Sequence, residues 1–119
     1  MKIAHKPRPA KTHTNEATHR SEGAVTSLLL FVGGGIIDSL LITNNSAVAG
    51  YIHIWDAATV PADTTVPHYP PIPLAASSYV RLTDLGFPVT VGACISISST
   101  LATTTLSANA AFIAAVVRT

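Results

Sequence analysis

Hydrophobic and polar positions alternate most clearly at residues 51–55, where Ile52 and Ile54 fall on one side of an extended chain and Tyr51, His53 and Trp55 on the other. The pattern predicts a strand with one aliphatic core face. The opposite, aromatic face is expected to be a protomer interface. Similar short runs predict strands at residues 25–32, at 36–43, where Leu40 and Ile42 alternate with Ser39 and Leu41, and at 79–82, 89–98 and 111–118. The last of these is rich in alanine, which favours helix. β-Branched Ile113, Val116 and Val117 shift the balance to strand.

Turn chemistry separates these runs. Asn44-Asn45-Ser46 reads as a turn, because Asn tolerates left-handed backbone and bonds its own main chain; the same triplet matches a glycosylation acceptor, a short motif without a secretory signal behind it. Gly33-Gly34-Gly35 lacks the Lys-Ser/Thr of a phosphate-binding loop and reads as a tight turn. Residues 56–78 carry Pro61, Pro67, Pro70, Pro71 and Pro73, which exclude helix and central strand and predict an extended, polyproline-like connection. Residues 100–109 are expected to form a Ser/Thr-rich excursion with a short strand at 103–106. The total is about seven strands, an all-β antiparallel sandwich or jelly roll.

Charge divides the chain in two. Residues 1–22 hold Lys2, Lys6, Arg8, Lys11 and Arg20 against Glu16 and Glu22; residues 23–119 hold Arg81 and Arg118 against Asp38, Asp56, Asp63 and Asp84. Pro7 and Pro9 suppress helix in the first part and no apolar period runs through it. It is expected to be an extended basic N-terminal arm preceding a sandwich domain at 23–119, with its cations as partner contacts. Across all 119 residues only 11% are charged and 48% hydrophobic, so the surface must be filled by Ser, Thr, Ala and exposed apolar groups. Such a surface favours association into a homo-oligomer or a larger assembly.

Candidate chemistry is sparse. The longest strong apolar run, residues 28–32, is far below the roughly 20 residues that a membrane-spanning helix needs, and no membrane association is expected. Cys94 is the only cysteine, in an alternating apolar context that marks a buried thiol. His5, His13 and His19 lack the close pairing of zinc ligands, and no loop clusters oxygen ligands for calcium. No metal or cofactor is expected. His53 and Asp56 lie three apart on a strand, facing opposite sides, and no Gly-x-Ser-x-Gly elbow is present, so no enzymatic site emerges. The basic leader is too weakly charged, and the body too poor in basic stripes, for direct nucleic-acid binding.

The stretch LITNNSAVAGYIHIWDAATVPAD at residues 41–63, continued by Val66-Pro67 and by PPIPLAA at 70–76, resembles small β-sandwich structural proteins of tailed-bacteriophage virions. In that family a TN-S turn, a strand ending in aromatic-Asp-Ala, a VPADG-like loop, a P-IP edge and a late Gly-rich strand recur. The likeness spans roughly residues 36–118; Thr64-Thr65 stand where the family has glycine, and the leader is the chain's own. The resemblance implies a virion component on the outer capsid surface. As a decoration or cement protein it would bind the major capsid protein through its arm and assemble as a homo-oligomer, a trimer by analogy with local threefold positions. A neck, tail or head-fibre subunit is the alternative. A glycan- or receptor-binding module stacking sugars on Tyr51, Trp55 and Tyr69 is the reading from a different class.

Overall fold

The computed structural model describes residues 15–62, 65–101 and 110–119. Within them lie nine strands and no helix: β1 (Glu16–Arg20), β2 (Ser27–Val32), β3 (Gly35–Asn44), β4 (Gly50–Asp56), β5 (Ile72–Leu74), β6 (Ser78–Leu82), β7 (Phe87–Val89), β8 (Gly92–Ser98) and β9 (Phe112–Arg118). The C-terminal run is a strand, as its β-branched residues predict. The short strand expected at 103–106 falls outside the described residues.

Every pairing is antiparallel, and the pairs nest. β1 lies on β9, β2 on β8, β3 on both β6 and β7, and β4 on β5. The chain is thus one long hairpin folded over on itself, with alternate pairs assigned to alternate sheets. Two further pairings, β3 with β9 and β4 with β8, close the sheets in the orders β1-β9-β3-β6 and β2-β8-β4-β5, with β7 beside β6 on the same edge of β3. This nesting is the wrapping of a jelly roll, the second of the two architectures that the alternation allowed.

The core lies between the sheets and follows the alternation. Ile37, Leu40, Ile42, Ile113 and Val117 from the first sheet meet Ile52, Ile54, Leu74, Ile95 and Ile97 from the second, all buried. Each such side chain contributes about 1.5–3 kcal/mol on burial. A bulge at Leu30 turns that residue inward between Leu29 and Phe31.

Three features depart from the sequence reading. Glu16–Arg20 belongs to the stretch read as an arm, and it is extended as expected, but it forms the outer strand of the first sheet. Its ladder runs from reciprocal bonds between Asn15 and Thr119 (3.2 and 3.0 Å) to a bridge between Val25 and Ala111, after which the chain crosses into β2. The single strand expected at 89–98 is two, since Thr90 and Val91 carry the chain from β7 in one sheet to β8 in the other. The Pro-rich connection contains β5, placed at a sheet edge, where Pro73 opposite Tyr51 costs no central ladder bond.

The turns obey their chemistry. Asn44 Oδ1 accepts from the Ser46 N–H (3.0 Å) while its Nδ2 donates to the carbonyls of Val48 and Ala75 (both 3.0 Å), so a buried amide ties two loops together. Gly33, at φ +95°, makes the corner between β2 and β3.

Candidate functional site

The two outer faces of the sandwich differ. On the second sheet, register places Tyr51 beside Ser98, His53 beside Ser96 and Trp55 beside Cys94. This is the aromatic face expected to be an interface, and it is covered within one chain. His53 and Trp55 are 0% exposed and every residue of β8 is buried, leaving only Tyr51 partly accessible. A protomer contact on this face would therefore reach Tyr51 alone of the three.

Its polar groups are buried with it, Trp55 Nε1 and Ser96 Oγ without a hydrogen-bond partner among the described residues. Burial lowers the pKa of His53, partly offset by its hydrogen bonds to the backbone of Leu101 and Thr100. Trp55 packs edge-on against His53 (6.3 Å between centroids) and against His68 (6.0 Å), while His68 Nδ1 accepts the Asp56 N–H at 3.0 Å. Burial pushes the Cys94 thiol up to about 11, the behaviour of a structural cysteine. Ser96 faces His53 across the ladder, and both are wholly buried. Tyr69, a candidate sugar platform, is half-buried and tied into the fold. Its ring stacks on Phe87 (4.4 Å, 8°) and its hydroxyl donates to the Pro88 carbonyl.

Asp56 and Asp38 also serve the fold. The Asp56 carboxylate accepts the N–H groups of Val91 (2.8 Å), Thr90 (3.0 Å) and Gly92 (3.3 Å) and the Thr90 hydroxyl (3.2 Å). Desolvation pushes its pKa up, but these bonds outweigh it and hold the group below its ordinary value. Asp38 takes a bidentate Arg118 fork (2.6 and 2.9 Å), which raises the arginine's pKa.

The first sheet presents the open face. Register aligns Tyr79, Thr43 and Phe112 in one row, then Arg81, Leu41, Ala114 and Arg20, then Ser39, Val116 and Thr18. Leu41 is 41% exposed, Phe112 43% and Tyr79 65%, a larger apolar display than scattered single residues make. A shallow depression beside Leu41 is lined by Ala114, Val116, Thr18 and Arg81. Arg20 and Arg81 stand at opposite ends of one row, three strand spacings or about 14 Å apart, and neither has an ion-pair partner among the described residues.

Of the five arm cations, Lys2, Lys6, Arg8 and Lys11 lie outside the described residues; Arg20 is on β1 and borders this face. The sequence reading did not single out Leu41, Tyr79, Phe112 and Arg81 as surface residues. The signal was present in part, since Leu41 breaks the polar side of its own strand and Tyr79 and Arg81 share a parity. Only the register shows that these lie together. Comparison of the chain with protein-family models, with curated proteins and with solved structures returns no match.

Proposed function

We propose that this chain is a non-enzymatic structural subunit of a tailed-bacteriophage particle, a capsid decoration or cement protein held on the outer shell surface by contacts with the major capsid protein. The observation that carries the reading is the uncovered face of the first sheet, where Leu41 lies in the row between Arg20 and Arg81, cations without an ion-pair partner among the described residues, and Tyr79 and Phe112 lie in the row beside it. A face of this kind suits a protein surface with apolar ground and carboxylates. The basic residues Lys2, Lys6, Arg8 and Lys11 add to the same polarity. Jelly rolls recur in viral shells, an analogy of architecture that supports the reading without assigning a residue.

The test is the copy number and position of the chain in purified virions, by quantitative mass spectrometry and cryo-electron microscopy. Stoichiometry that follows the shell lattice is the expected result. A few copies at one vertex would replace it with a neck, tail or fibre role, and absence from particles would overturn it. The clamp role of the leader is tested by deleting residues 1–14, which leaves β1 in place. Deletion through Glu22 would strip the outer strand from β9 and confuse lost binding with lost folding.

A further inference from the structure

Among the described residues, β1 is an edge strand with an open hydrogen-bonding side. The reciprocal Asn15–Thr119 bonds, and the bond from the Ser21 N–H to the Ile113 carbonyl (2.8 Å), show that odd-numbered residues of this segment turn their main-chain groups toward β9. By the alternation of an antiparallel ladder, Glu16, Thr18 and Arg20 turn theirs outward. All three are exposed.

Edge strands invite pairing unless something blocks them. The edge at β5 is three residues long and carries Pro73, β7 is three residues long and carries Pro88, and β2 is broken by its bulge. β6 is five residues long, but its one charge, Arg81, has no acid on its own strand to meet in a second copy. β1 has five residues, neither proline nor bulge, and opposite charges at its two ends.

We propose that β1 pairs with β1 of a second copy about a twofold axis at Thr18, joining the two first sheets into one continuous sheet. In this register Thr18 faces its own equivalent, and Glu16 of each copy faces Arg20 of the other. All three opposed pairs then belong to the type that exchanges two main-chain bonds. The side chains follow suit, since Thr–Thr and opposite-charge pairs are favourable directly across a ladder. Glu16 adds a weaker charge interaction to the adjacent Arg118, whose direct ion pair is with Asp38. The contact is self-complementary and closes after two copies, a dimer in place of the trimer that capsid analogy suggested. It holds independently of the virion assignment.

Sedimentation velocity of the full chain over a concentration series tests this, with circular dichroism to monitor folding. A reversible dimer is expected. Thr18→Pro removes an outward N–H and leaves the β9 ladder intact, so it gives folded monomer. Glu16→Arg or Arg20→Glu alone sets like charges opposite each other twice per dimer and weakens association roughly tenfold or more. The double variant Glu16→Arg/Arg20→Glu restores the pairing and brings the dimer back. A monomer at every concentration, a trimer, or a dimer indifferent to Thr18→Pro overturns the proposal, as does failure of the double reversal to rescue the single ones.

Discussion

Replacing Asp56 tests whether the corner between the two sheets depends on one carboxylate. Asp56 ends β4 and gathers the N–H groups of Thr90, Val91 and Gly92, where the chain leaves β7 for β8. Hydrogen bonds to a charged acceptor contribute about 1.5–3 kcal/mol each when sheltered. These share two oxygens near solvent and are screened, so the set is worth about 2 kcal/mol. Asp56→Ala should cost that amount, and Asp56→Asn, which keeps one acceptor oxygen, about 1 kcal/mol. For a chain of this length each kcal/mol lowers the melting temperature by about 3–5 °C. The pH dependence gives a sharper check. The folded pKa lies below the ordinary 3.8, so the unfolded chain takes up its proton first as pH falls. The contribution is complete above about pH 5 and is lost as pH drops through the folded value. Thermal melts at pH 7 and pH 3 should therefore show the gap between the native chain and Asp56→Asn closing in acid. Equal stability of the two at pH 7, or a gap that persists unchanged at pH 3, would refute the assignment.

Two other substitution and labelling experiments follow from the same geometry. A Cβ added at Gly92 would sit 2.6 Å from the Ala57 carbonyl oxygen and 2.9 Å from that of Phe31, both backbone atoms; Gly92→Ala should cost about 1–3 kcal/mol, read as a lower denaturant midpoint, whereas Gly23→Ala, with nothing near its Cβ, should leave the midpoint within error. Cys94, wholly buried with its thiol pushed up to about 11, should resist a thiol reagent at pH 8 in the native protein and react at once in denaturant; rapid native labelling would show that the covered face of the second sheet opens.

Much of the fold was legible locally. Alternation at Leu40 and Ile42, at Ile52 and Ile54, and in the C-terminal run marks the strands and their core sides, because a strand half-buried against a second layer must repeat every second residue. Asn44, Gly33 and Pro73 mark a turn, a corner and an edge through backbone preferences that hold in any context. The candidate surfaces were less accessible to sequence. Glu16–Arg20 has no apolar period of its own and becomes a strand because β9, at the far end of the chain, offers it a ladder.

By itself, then, the sequence determined an all-β chain, the core residues of most strands and the charge-poor character that favours assembly. Tertiary structure decided the rest: which outer face is open, which edge is bare, and that Asp56 serves a corner more than thirty residues away. Alternation reports that a strand has two sides but not which layer covers the second. His53 and Trp55 are buried and Leu41, Tyr79 and Phe112 exposed through pairings between segments distant in sequence, and such contacts leave no local trace in either partner.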